Sequence, residues 1–186
     1  MNRSLPLVAI EIQKEMRLTP ELKSTYKDIL KEATSFFDKT EQLNYFQQKI
    51  DELNKKIAPE SVSCKKGCSF CCYHEISASK AELESINKDL SSEEIEKFYF
   101  QSQYDDWKAI EYTKRACALL INNECSRYND RPLICRVTHV SSPAENCKDE
   151  SGNFITHSVD QEVALYILAY YTLNENYLIR NIDQVI

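Results

Sequence analysis

A chain of 186 residues with 42% apolar side chains, eighteen of its residues Phe or Tyr, suffices for one hydrophobic core and is short for two domains. Two glycines, Gly67 and Gly152, exclude glycine-dependent phosphate loops and nucleophile elbows and disfavour an all-β fold built on tight hairpins. A net charge of −6 excludes a general nucleic-acid binder, which leaves eight cysteines as the informative residues.

Residues 1–60 read as N-terminal amphipathic helices. Thr19 before Pro20 is a helix start: the hydroxyl can accept from a free N–H, and the proline ring is already helical in φ. Leu22, Tyr26, Ile29, Ala33, Phe36, Leu43, Phe46, Ile50, Leu53 and Ile57 then recur in steps mostly of three and four. That stripe predicts one long helix, or a hairpin broken near Asp38-Lys39-Thr40, closed by Pro59. Its expected partner is the rest of the domain; docking of another protein is the alternative.

Residues 62–147 hold every cysteine. Cys64, Cys68 and Cys71 follow the spacing C-x3-C-x2-C, so three thiolates fit on one tight loop around a centre about 2.3 Å from each sulfur. Gly67 permits the positive φ that such a loop needs. Cys72 follows Cys71 directly, so its side chain is expected to serve a second centre, the core or free thiol chemistry. His74 reads as a hydrogen-bonded surface residue rather than a ligand. Ser79 is set to cap a short helix through Asn87, and Ser91 with Glu94 forms a capping box for a helix carried through Ile95, Phe98, Trp107 and Ile110. Asp105-Asp106 reads as a solvated face.

From Cys117 to Cys147 the helical period vanishes, and Asn122-Asn123, Asn129-Asp130 and Arg131-Pro132 mark turns. Cys117, Cys125, Cys135 and Cys147 are too far apart to close a site alone, but they can complete the first loop or build a second site. Eight thiols suffice for two four-coordinate centres. Cys135, then Cys125 and Cys72, are the expected completers; Cys117 and Cys147 read as buried small hydrophobes. A four-thiolate zinc site or oxidised four-iron cluster carries about −2 and draws cations around it. Residues 113–136 carry +3 within the acidic chain, and Arg131 and Arg136 bracket Cys135 as the expected outer partners of the centre. Lys65 and Lys66 lie inside the first cluster.

Residues 158–186 read as C-terminal helices. Ser158 and Gln161 suggest a capping box, and Val159, Val163, Ile167 and Tyr170 share one face. The apolar run Val163 to Tyr171 has nine residues, against the ~20 that span a bilayer, so no membrane span is expected. The run from Leu5 to Ile10 is too short for a signal segment. The expectation is a cytoplasmic chain with reduced thiols, in which a cysteine cluster binds metal or does redox work.

Cys64, Cys68, Cys71 and Cys72, followed by Cys125, Tyr128, Arg131-Pro132 and Cys135-Arg136, resemble the YkgJ-type cysteine-cluster family, labelled CxxCxxCC and described as a zinc- or iron-chelating domain. The second block is similar to its C-x-x-Y-x-x-R-P-x-x-C-R pattern, and Cys117 with Leu120 to its C-x-x-L element. The resemblance covers roughly residues 62–140 and departs from the family pattern in its first spacing, three residues instead of two. It implies metal binding without implying a reaction. The cysteine block is also similar to that of flagellin lysine N-methylase, an enzyme associated with an iron–sulfur cluster. The C-x3-C-x-aromatic-C spacing matches radical S-adenosylmethionine enzymes, but the glycine-rich barrel of those enzymes is not legible here.

The sequence therefore predicts a single, mainly α domain with an irregular cysteine-rich metal-binding segment. The expected ligands are Cys64, Cys68, Cys71, Cys72, Cys125 and Cys135, and the cofactor a [4Fe-4S] cluster or Zn2+. The compact triple plus a remote thiol resembles iron–sulfur ligation more than paired zinc knuckles. A cluster-dependent protein-modifying enzyme and a thiol-based redox sensor are the alternative functions.

Overall fold

The computed structural model describes residues 19–57, 59–65, 67–148 and 160–179. Among them are six α-helices and two small two-stranded sheets, the mainly α architecture that the sequence predicts. The helices are α1 (Pro20–Ala33), α2 (Lys39–Asn54), α3 (Lys80–Asn87), α4 (Ser92–Ser102), α5 (Leu133–Val137) and α6 (Gln161–Leu173). Strand β1 (Ser77–Ser79) pairs antiparallel with β4 (Asn176–Leu178), and β2 (Leu120–Ile121) pairs with β3 (Glu124–Cys125).

The first stripe breaks where the charged stretch suggests. Thr19 Oγ1 accepts from the Leu22 N–H (3.3 Å) at the head of α1, and Asp38 Oδ1 accepts from Thr40 (2.7 Å) and Glu41 (3.0 Å) at the head of α2. Both helices lie against α6. Ile29, Ala33, Leu43, Phe46, Ile50 and Leu53 are buried there, so the stripe is consumed by the core. Phe46 is ringed by aromatic edges: Tyr170 at 5.1 Å, Tyr45 at 5.3 Å and Tyr166 at 6.2 Å between centroids.

Helix α6 is buried all round. Every residue from Val163 to Tyr171 is buried, not only the face through Val163, Ile167 and Tyr170. A helix apolar on all sides belongs in the middle of a core, and α1, α2 and α5 cover this one. Asp160 caps it, accepting from the Glu162 N–H at 2.8 Å. Ser158 and Val159 lie outside the described residues, as does the tail beyond Ile179.

The capping boxes at Ser79/Glu82 and Ser91/Glu94 are both formed. Helix α4, however, ends at Ser102 rather than continuing through Trp107 and Ile110. Asp106 Oδ1 accepts from the Lys108 N–H (2.9 Å), a local turn that competes with the helix. The returning chain is tied to the end of α4 by Gln101, which donates to the carbonyls of Lys114 (3.3 Å) and Ala116 (2.7 Å). At the β2–β3 turn Asn122 (φ 51°) and Asn123 (φ 63°) both take the left-handed conformation that a two-residue hairpin requires.

The region read as non-helical contains one short helix, α5. Its first N–H, from Leu133, donates to Glu82 Oε1 at 2.6 Å, across 51 residues of sequence. The other oxygen of the same carboxylate accepts from the Ser79 N–H at 2.6 Å. Glu82 is fully buried: burial pushes its carboxyl up, while the Leu133 and Ser79 N–H groups, the Ser79 hydroxyl and Arg136 push it back down. The side chain thus serves two helix ends at once.

Two outcomes follow from this packing. Phe46→Ala should lower unfolding stability by about 3–5 kcal/mol in chemical denaturation, because a ring enclosed on several sides leaves a cavity. Glu82→Gln, which must point an N–H at one of two donors, should lower it by about 1–3 kcal/mol in the same assay.

Candidate metal centre

The first cysteine loop is fastened at its start. The Ser63 N–H donates to the Val140 carbonyl (2.8 Å), and the Val140 N–H donates back to Cys64 Sγ (3.3 Å). A turn closed by the Cys68 N–H on the Lys65 carbonyl (3.0 Å) passes through Gly67 at φ +89°. A side chain there would meet no atom, so the glycine answers to backbone conformation rather than to space. Lys66 lies outside the described residues.

Cys71 and Cys72 sit on the 3-10 turn Phe70–Tyr73. That turn packs against a second one, Ala144–Lys148, which carries Cys147. His74 Nε2 donates to the Cys147 carbonyl (3.0 Å) across the same contact. On the other side the Cys117 N–H donates to the Cys72 carbonyl at 2.7 Å. Cys117 opens the segment leading into β2, Cys125 pairs with Leu120 across the β2–β3 ladder, and Cys135 rides on α5.

All eight cysteines are free thiols. Cys72 hydrogen-bonds Cys71, which lowers the Cys71 thiol to about 7; Arg131 adds to the effect. The same bond, with burial and the charges of Cys71, Cys117 and Cys135, drives Cys72 far upward. Burial raises Cys117 to about 12 and Cys147 to about 11, and holds Cys135 well above the ordinary thiol range. Cys64 and Cys125 are also raised by burial, against N–H bonds from Val140 and Arg127. Neighbouring thiolates oppose one another's ionisation around this site. A bound cation removes that opposition, which is the electrostatic condition for thiolate ligation.

The two expected outer arginines behave differently. Arg131 stacks 4.0 Å over the Tyr128 ring and donates to the Tyr128 carbonyl (2.5 Å), with its charge acting on Cys71 and Cys125. Arg136, almost fully buried, pairs with Asp51 on α2 (2.6 Å) and donates to the carbonyls of Arg131 (3.0 Å) and Asn129. Its guanidinium ties α5 and the preceding loop to α2. Cys147, buried, and Cys117, packed against the smaller apolar cluster, take the core places read for them, and both also feel other thiols: Cys64, Cys71 and Cys68 raise Cys147, and Cys125 and Cys71 raise Cys117.

Residues 63–158 match the sequence profile of the CxxCxxCC family, described as a "putative zinc- or iron-chelating domain". The chain belongs to this family. The family description supports metal binding by this segment. No curated protein and no solved structure matches the chain, so the likeness to flagellin lysine N-methylase has no match behind it. Among the described residues no helix is long and apolar enough to cross a membrane.

The donors of the CxxCxxCC segment fit zinc or iron–sulfur chemistry in kind, being soft, reduced and unpaired. Among the described residues, no three His, Cys, Asp or Glu side chains are drawn together closely enough to hold an ion. Ligation therefore requires the sulfurs to close in. In the metal-free protein the lowered Cys71 keeps its thiolate as pH falls, until about 7, whereas an ordinary thiol is already largely protonated below about 8.5. Iodoacetamide labelling of Cys71, followed by peptide mass spectrometry, should therefore show a rate midpoint near 7. Cys72→Ala, which deletes the donor, should move that midpoint upward.

Proposed function

We propose that this chain holds a thiolate-bound metal centre, with ligands drawn first from Cys64, Cys68 and Cys71 and completed by cysteines of the later segment, Cys135, Cys125 and Cys72 foremost. The observation that carries the reading is the position of Cys71: its charge raises thiols from both sides of the sequence, Cys64, Cys147, Cys117, Cys125 and Cys135. Arg131 supplies a cation beside the developing negative charge. The compact Cys64-Cys68-Cys71 triple with remote completing thiols favours a four-iron cluster over zinc. Bound there, such a cluster would serve electron transfer or structural cross-linking.

Anaerobically purified protein should be brown, with broad visible absorption and matching iron and sulfide content. A colourless protein containing zinc would assign the other metal. Ligation contributes on the order of 10 kcal/mol to folding in small thiolate domains. Chelation, or Cys68→Ser, should therefore lower the melting temperature strongly, and a melting curve indifferent to both refutes the proposal.

A second reading, a thiol-based redox sensor, draws on one observation: the hydrogen bond from Cys72 to the low-pKa thiol of Cys71, which makes Cys71, and not the strongly raised Cys72 that the sequence suggested, the reactive thiol. In it the Cys71 thiolate attacks a peroxide to give a sulfenic acid and release water or alcohol. A second thiol then displaces water to form a disulfide. An unchanged thiol count after mild peroxide removes this reading.

A further inference from the structure

We propose that the groove between α2 and the loop leading into α5 binds the phosphate monoester of a small hydroxylated molecule, with Lys55 and Arg131 holding the phosphate. The inference goes beyond the thiolate centre and does not depend on which metal that centre takes.

Two adjoining depressions make the groove. One, of about 530 Å3, is lined by Asn54, Lys55, Tyr128, Arg131 and His139; the other, of about 410 Å3, by Asn44, Gln47, Gln48 and Glu52. Asp51, Lys55, Asn129 and Arg136 belong to both. Arg136 is only 2% exposed, and its pairing with Asp51 leaves the middle of the groove close to neutral. No aliphatic side chain lines either depression, and Arg131 already covers one face of the Tyr128 ring. Such a lining suits a hydrophilic ligand and offers little to an acyl chain or a stacked base.

Two cations of the groove lack a counter-ion. Among the described residues neither Lys55 nor Arg131 pairs with a carboxylate, although the chain carries 29 acidic against 23 basic side chains. The Tyr128 ring under Arg131 and the Tyr128 carbonyl that accepts from it at 2.5 Å fix the guanidinium before any ligand arrives. An oriented donor fork of this kind suits phosphate oxygens and costs little further ordering on binding. A phosphate monoester carries about −2 near neutral pH, the charge that these two cations leave unbalanced. Along α2 the groove changes character: among the described residues the side-chain amides of Asn44 and Gln47 have no partner, and Asp51 and Glu52 are about half exposed. Amide donors beside carboxylate acceptors are what hydroxyl groups need.

The test is calorimetric titration of the full chain with glycerol 3-phosphate, inorganic phosphate and succinate, in chloride buffer of constant ionic strength. Glycerol 3-phosphate should bind saturably at one site per chain, more tightly than inorganic phosphate. Succinate, a dianion without phosphorus, should bind about tenfold more weakly or worse. Arg131→Gln and Lys55→Gln should each weaken glycerol 3-phosphate by about tenfold. Lys56→Gln, whose lysine pairs with Glu162 outside the groove, should leave binding unchanged. Should Arg131→Gln fail to fold or alter the metal content, the exposed Lys55 decides, because its variant touches no cysteine segment. Absence of saturable binding, or equal effects of Lys55→Gln and Lys56→Gln, overturns the site. Succinate binding as tightly overturns the phosphate assignment, and inorganic phosphate binding as tightly overturns the hydroxyl contacts.

Discussion

The Glu82 carboxylate, fully buried, joins two helix ends that lie 51 residues apart in sequence. One oxygen closes the N-terminus of its own helix, α3, through the Ser79 N–H, and the other closes the N-terminus of α5 through the Leu133 N–H. Ser79 in turn hydrogen-bonds the Tyr170 hydroxyl on the central helix α6. A buried carboxylate is tolerable only when strong donors replace its lost hydration. The cost of moving either donor away adds to the burial of Leu133, Ile134 and Val137 in holding α5, and with it Cys135, against the core. Arg136 reinforces the arrangement from the far side of α5 by its pairing with Asp51 on α2.

The molecule consequently has two kinds of order. Helices α1, α2, α5 and α6 enclose a conventional apolar core rich in aromatic edges. A smaller cluster gathers α3, α4 and the chain from Ala118 to Leu119 with Ile179. The cysteine loops between them have little regular structure, and their geometry is set by single hydrogen bonds such as Val140 to Cys64 and Cys117 to Cys72. Ligation would draw these soft donors together, while the helices keep the segment ends in register. Metal and apolar core then act as complementary sources of stability, the one closing what the other leaves open.

Much of this was legible in residue patterns. The caps at Thr19, Asp38, Ser79 and Ser91 use side chains three or fewer residues from their targets, so local spacing reveals them. The Asn122-Asn123 turn is similarly local, because asparagine tolerates positive φ. The cysteine inventory and its spacing pointed to metal chelation, and the family match over residues 63–158 agrees. Periodicity misled where a competing local bond intervened, at Asp106 beyond the end of α4, and where a helix had no solvent face at all, in α6.

Sequence alone determined the helical class, the helix starts at Thr19, Ser79 and Ser91 and the soft-donor chemistry, since each depends on residue type or on neighbours within a turn or two. Tertiary structure decided the rest. It set Cys147 and Cys117 within electrostatic reach of other thiols, turned Arg136 toward Asp51 while leaving the charge of Arg131 to act on Cys71, and gave α5 a cap from a distant carboxylate. These outcomes depend on which remote segments share space. Burial makes polar partners obligatory, but no short stretch of sequence names a partner dozens of residues away.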